Sequence, residues 1–181
     1  MYSTLKVSLS IFDRINLIKW GSTALTVFIL LISIGKTEGQ ELRFGLSSQI
    51  LGEINGGFTG YGFGIESRLS DHFSISGDCN IGYQSRGRAL ELKPAVLYYL
   101  NEQQKGIYLG PSMKYITIRE KLDFNRFSDK LYAFGFSLGW KGTLSDHILL
   151  NLNLSPHKTF GGRNEADVAG ISGQFSIGYR F

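Results

Sequence analysis

From Glu41 to Phe181 apolar and polar positions alternate with a period of two, over about eight runs separated by turn-forming residues. Leu42, Phe44, Leu46 and Ile50 alternate with Arg43, Gly45, Ser47 and Gln49; Tyr61, Phe63, Ile65 and Leu69 with Gly60, Gly62, Gly64, Glu66 and Arg68. The third run sets Phe73, Ile75, Cys79, Ile81 and Tyr83 against Ser74, Ser76, Asp78, Asn80 and Gly82, and the fourth sets Leu90, Leu92, Pro94, Val96 and Tyr98 against Ala89, Glu91, Lys93 and Ala95. Ile107, Leu109, Pro111, Met113 and Tyr115 oppose Gly110, Ser112 and Lys114; Tyr132, Phe134, Phe136, Leu138 and Trp140 oppose Ala133, Gly135, Ser137, Gly139 and Lys141. Ile148, Leu150, Leu152 and Leu154 alternate with Asn151, Asn153 and Ser155, and the last run sets Ile171, Gly173, Phe175, Ile177, Tyr179 and Phe181 against Ser172, Gln174, Ser176, Gly178 and Arg180. A strand sends successive side chains to opposite faces, so each run predicts a strand with one apolar and one small or polar face.

The predicted connections alternate in length. Short polar turns fall at 70–72, 101–105 and 145–147, whereas 51–57, 85–88, 119–130 and 158–168 are mostly longer. Leu69-Ser70-Asp71-His72 returns as Leu144-Ser145-Asp146-His147, both at short turns, where Ser and Asp can bond backbone nearby. Pro94 and Pro111 remove ladder donors and predict local bulges.

A sheet with one apolar face can close with that face inward, as in a soluble lipocalin-like barrel, or outward. The polar faces decide: in the second, sixth and eighth runs they are largely Gly, Ala and Ser, too small for a water-facing exterior and suited to a narrow lumen. The large aliphatic and aromatic side chains then face outward, which only lipid accommodates, and closure satisfies every backbone donor and acceptor there. Tyr61, Tyr83, Tyr115 and Tyr132 at one end, with Phe73, Tyr98, Trp140, Tyr179 and Phe181 at the other, fit two interfacial girdles. The fold expected is all-β: an eight-stranded antiparallel up-and-down transmembrane β-barrel. Its lumen would hold Arg43, Glu66, Arg68, Asp78, Glu91, Lys93, Lys114, Lys141 and Arg180, charges that must pair with one another to be tolerated. At this strand count they would plug the tube.

The final strand, alternating without a fault and ending on Phe181, resembles the terminal strand of bacterial outer-membrane barrels. That resemblance implies an assembly signal at Phe175, Ile177, Tyr179 and Phe181, read by the barrel assembly machinery. Residues 40–181 as a whole resemble the small outer-membrane barrels of the OmpA/OmpX and OmpW-like kind. Members of this group have structural, adhesive or surface-recognition roles, and some pass small apolar molecules. The resemblance therefore implies a non-enzymatic envelope protein, with a narrow conduit as the alternative, integral to the outer membrane with both termini periplasmic.

The N-terminal 39 residues break the alternation. Lys6, Arg14 and Lys19 precede an apolar run from Ala24 to Ile34, closed by Gly35-Lys36-Thr37-Glu38-Gly39, the order of a cleavable secretory leader. The run is shorter than the roughly 20 residues of a membrane span. Of the formal charge of +4, this segment's Lys6, Arg14, Lys19 and Lys36 against Asp13 and Glu38 supply half, so the basic balance does not indicate a nucleic-acid partner. Cys79 is the only cysteine and cannot form an internal disulfide.

Candidate chemistry is thin. His72-Phe73-Ser74 resembles the His-x-Ser pair of the lipid A deacylase family, but Ile75 stands where an Asn would follow, and the turn lies on the wrong side for that reaction. His157 opens the expected last long connection, near Ser155, Glu165 and Asp167, where a carboxylate-oriented base is conceivable; a solvated rim residue is the plainer reading. No His or Cys spacing matches a metal site, Gly60–Gly64 precedes no helix as a phosphate loop would, and no cofactor is expected. The outer connections carry Arg86, Arg88, Arg119, Lys121, Arg126 and Lys158, besides Lys130 and Arg163, a basic rim suited to lipopolysaccharide phosphates.

Overall fold

In the computed structural model eight antiparallel strands close into a barrel in sequence order: β1 (Gln40–Leu51), β2 (Phe58–Arg68), β3 (Phe73–Gln84), β4 (Gly87–Tyr99), β5 (Gly106–Leu122), β6 (Asn125–Thr143), β7 (Ile148–Phe160) and β8 (Val168–Arg180). The structure describes residues 39–51, 57–85, 87–122, 125–160 and 168–181, without the side chains at 51, 120–122, 125–127 and 168. The expected leader before Gly39, Arg86, Arg163, Glu165, Asp167 and the side chains of Lys121 and Arg126 therefore lie outside it.

Closure is made by β1 against β8, from Glu41↔Arg180 to Leu51↔Gly170. Cross-strand partners followed once around the ring run Glu41, Glu66, Ser76, Ala95, Ser112, Gly135, His157, Gly170 and back to Leu51, about ten residues further along β1. Such a stagger tilts the strands and sets how wide the interior is. The offset is even, so residues that face the lumen meet others that face the lumen where the ring closes.

The alternation orients the side chains as the pattern requires. Phe44 is 62% exposed and Phe136 59%, whereas Lys93 is 2% and Lys141 1% exposed. The oily residues surround the cylinder and the charged ones fill it. The soluble, apolar-inside arrangement is excluded by this inversion.

Three connections differ from expectation. β5 and β6 stay paired as far as Leu122↔Asn125, so most of 119–130 is strand. β7 runs on to Phe160, which places His157 inside a strand. β3 ends at Gln84 and β4 begins at Gly87, so that link is as short as those at the other end. In each case backbone pairing extends past the point where lipid-facing alternation fades. The prolines make no bulge: β4 and β5 keep one register on both sides, with Leu92↔Tyr115, Ala95↔Ser112 and Tyr98↔Leu109. Pro94 and Pro111 pair normally with β3 and β6, as Gly77↔Pro94 and Pro111↔Phe136. Both missing donors thus fall in the single β4–β5 seam.

The repeated Leu-Ser-Asp-His turns are built alike at the rim that holds Gln40 and Phe181, here called the near rim. Ser70 Oγ accepts from Phe73 N at 3.2 Å and Ser145 Oγ from Ile148 N at 3.2 Å. His72 Nδ1 donates to the Tyr99 carbonyl at 2.9 Å and its ring stacks on Tyr98; His147 Nδ1 donates to the Arg180 carbonyl at 3.0 Å and stacks on Tyr179. Each turn thereby locks a hairpin to the strand beside it.

Candidate functional site

The described interior is layered. Nearest the near rim, Glu66 is the hub: its carboxylate accepts from Arg43 Nη1 at 2.9 Å, Lys141 Nζ at 2.8 Å, Ser74 Oγ at 2.7 Å and Tyr99 OH at 2.6 Å. Lys141 also reaches Glu41 at 2.6 Å, across the barrel, and stands over the Tyr99 ring at 4.7 Å from its centre. Arg180 closes the rim by donating to Glu41 through both Nε and Nη2. A charge bonded on several sides by opposite charges and dipoles is the arrangement that a low-dielectric interior tolerates.

The next layer continues the chain of pairs. Arg43 Nη2 donates to Asp78 Oδ1 at 3.1 Å, Lys93 lies 3.3 Å from Asp78 Oδ2, and Lys93 Nζ donates to Asn153 Oδ1 at 2.8 Å. Asn153 Nδ2 donates to Tyr108 OH at 3.0 Å, which donates to Asn151 Oδ1 at 2.9 Å. Two backbone positions make room: a Cβ on Gly139 would sit 2.3 Å from the Tyr108 ring, and one on Gly64 would sit 2.2 Å from Asp78 Oδ1. Only glycine leaves space for these large groups to cross a narrow tube.

Farther from the near rim, Lys114 Nζ donates to Ser172 Oγ at 2.6 Å, His157 Nδ1 at 2.9 Å and the Ser155 carbonyl at 3.2 Å, with Glu91 Oε2 at 3.5 Å. Asn80 Nδ2 donates to Glu91 Oε1 at 2.8 Å. One apolar cluster caps the polar layers on the far side and a second is interleaved with them. Phe58, Ala89, Ile116 and Ile118, with Leu131 against them, lie toward the far rim; Ala95, Leu97, Tyr99 and Tyr108 lie toward the near one.

Of the expected lumen residues, Arg43, Glu66, Asp78, Glu91, Lys93, Lys114 and Lys141 are buried and share these bonds. Arg68 stands apart at the near rim, where it pairs with the exposed turn residue Asp71 and donates to the Glu102 carbonyl. Sequence reasoning missed Glu41, Tyr99, Tyr108 and His157 as lumen residues. Strict alternation signals the two tyrosines, because Tyr99 follows outward Tyr98 and Tyr108 precedes outward Leu109.

The catalytic candidates do not assemble. Ser74 Oγ faces the lumen and is bound to Glu66, while His72 is turned to the Tyr99 carbonyl, so the two form no nucleophile–base pair. His157 is not a solvated rim residue: it is 6% exposed and held against Lys114. Among the described residues no group of three or more His, Cys, Asp and Glu could hold a metal ion.

On the outside, the basic residues lie on strands. Arg88 and Arg119 face each other across β4 and β5, and both are exposed, as are Lys130 on β6 and Lys158 on β7. An aromatic row crosses β5–β7, with Tyr115 and Tyr132 5.5 Å apart between ring centres and Tyr132 and Phe160 6.3 Å apart; it lies on the waist side of Arg119 and Lys130 and on the rim side of Lys158.

No family model matches the chain, and no curated protein does. Solved structures do. Neisserial surface protein A is similar with a TM-score of 0.63 at 11% identity, over 78% of this chain and 97% of that one. Ail, the attachment invasion locus protein of Yersinia pestis, crystallised with the heparin analogue sucrose octasulfate, is similar at TM-score 0.57 and 12% identity, over 80% and 100%. OprG from Pseudomonas aeruginosa is similar at TM-score 0.52 and 14% identity, over 80% and 96%. At such low identity the shared property is architecture, and on that ground the chain has the fold of the small eight-stranded outer-membrane β-barrels.

Proposed function

We propose that this protein is a non-enzymatic, integral outer-membrane barrel with a structural or surface-interaction role in the Gram-negative envelope, its lumen plugged by the charged network. The carrying observation is the unbroken set of ion pairs from Arg180 and Glu41 through Lys141, Glu66, Arg43 and Asp78 to Lys93, with an apolar cluster beyond them toward the far rim. A solute would have to break several buried pairs at once, each break leaving an uncompensated charge in low dielectric at about 3–5 kcal/mol. That argues against the narrow-conduit reading.

On this reading residues 1–39 are a leader removed on export, both rim termini face the periplasm, and the exposed face of β8 at Phe175, Ile177, Tyr179 and Phe181 is what the assembly machinery engages. Arg88 and Arg119, on the rim side of the aromatic row, would meet lipopolysaccharide phosphates of the outer leaflet, with Lys158 reaching toward them from the waist side; Arg86, Lys121 and Arg126 belong to the same expected set.

Planar-bilayer recording tests the plug. The purified barrel should give no reproducible single-channel steps, and opening of the network by Arg43→Ala with Lys141→Ala should be needed to produce them. Steady unitary conductance from the native protein, lost on altering Lys93 or Lys114, would replace the structural reading with the conduit.

A further inference from the structure

The outer surface is not uniform. A concavity of about 930 Å³ crosses it on the lipid-facing side, from Trp140 on β6 to Tyr83 on β3, perpendicular to the strands. It passes over Gly173, the one glycine among the outward positions Ile171, Phe175, Ile177 and Tyr179 of β8, with Leu46, Leu154 and Phe175 as its walls. Gly173 pairs with Ser48 on one side and Leu154 on the other, and Ser48 with Thr59, so the ridge of large side chains drops away across β8, β1 and β2.

The lining changes along its length. Around Trp140 the outward side chains are Leu138, Leu152 and Leu154, whereas the far-rim end carries the hydroxyls of Ser48, Thr59 and Tyr83. Beyond it the same outward row continues as Tyr83↔Arg88 and Arg88↔Arg119. Like charges directly opposed on neighbouring strands are destabilising and favour an anion between them. Six strands at about 4.8 Å spacing give a track of roughly 24 Å. With strands tilted about 35–45° that track descends roughly 15 Å, about half of a hydrocarbon core some 30 Å thick.

We propose that this groove is a specific site for one acyl chain of an outer-leaflet anionic amphiphile, lying lengthwise from the hydroxyl end toward Trp140 with its headgroup beside Arg88 and Arg119. The inference rests on the outer-membrane reading above for which rim faces out. The occupant follows from the grading of the walls: an amphiphile has one polar end, one oily tail and a length of one leaflet. A second copy of the barrel would offer a convex wall and bury the hydroxyls without partners.

The test uses the protein expressed with Trp20→Phe, so that Trp140 is its only tryptophan whether or not residues 1–39 are retained. It is reconstituted in phosphatidylcholine vesicles with a small fraction of phosphatidylglycerol brominated on its acyl chains. Quenching of Trp140 should exceed, by about threefold or more, what the brominated fraction alone gives. Gly173→Leu should return quenching to that fraction; a Cβ there meets nothing nearer than Leu154 at 3.5 Å, so the fold accepts it. Val96→Leu, exposed on β4 away from the groove, should leave quenching unchanged. Quenching of the parent protein at the bulk fraction, or a Gly173→Leu variant indistinguishable from it, overturns the proposal. The headgroup contact fails separately: if Arg88→Glu with Arg119→Glu keeps the advantage of phosphatidylglycerol over equally brominated phosphatidylcholine, the basic rim is not an anion site, and the Gly173 arm still decides the groove.

Discussion

Glu66 shows what holds the interior together, because a single carboxylate there accepts from Arg43, Lys141, Ser74 and Tyr99. Glu66→Gln keeps the size and removes the charge, leaving two buried cations short of a counter-ion; urea unfolding in lipid vesicles should show a loss of about 3–5 kcal/mol. Arg68→Ala, at a pair open to solvent, should stay within about 1 kcal/mol in the same assay. Equal losses for the two would mean that the lumen is far more hydrated than its burial indicates. At this scale the sequence was partly legible. Parity pointed Arg43, Asp78 and Lys93 inward, but it could not show that Glu41, the first residue of the alternating pattern, meets Lys141 a hundred positions away, since that contact exists only once the ring is closed.

Closure itself belongs to the strands. Leu46 on β1 and Phe175 on β8 are direct partners, and opposed residues in an antiparallel pair lie about 4.5–5.5 Å apart at Cα, within disulfide reach of about 4.4–6.8 Å. In a Cys79→Ser background, Leu46→Cys with Phe175→Cys should form an intramolecular crosslink on mild oxidation of the folded barrel, seen as a non-reducing mobility shift; no crosslink in folded protein would refute the β1–β8 register. All eight strands were readable from alternation because lipid outside and small residues inside impose opposite chemistry on neighbouring positions. The ends were not. Past the apolar band the outward positions of β5 and β6, Arg119 and Lys130 among them, turn charged, so 119–130 reads as a loop while its backbone remains paired. The same blur made His157 look solvent-exposed: Pro156 before it and Lys158 after it are outward positions too polar or too irregular to signal a strand.

For the molecule as a whole, a closed ring with every strand paired on both edges should resist detergent until heated. Purified from membranes, the unboiled and boiled protein should run at different positions on a detergent gel, and identical mobility would argue against a closed barrel. The ladder is thinned at the β4–β5 seam, with Pro94 and Pro111, and again in the β6–β7 seam beside Pro156, and it has one rule of construction, the circuit that comes home about ten residues on. Because that return is an even count, the cylinder admits changes of strand length only two residues at a time. Losing a single residue mid-strand would turn every later side chain of that stave inside out, sending lysines into the acyl chains and phenylalanines among the carboxylates. Drift in length is thereby confined to the connections, and the staves are free to vary in spelling but not in beat.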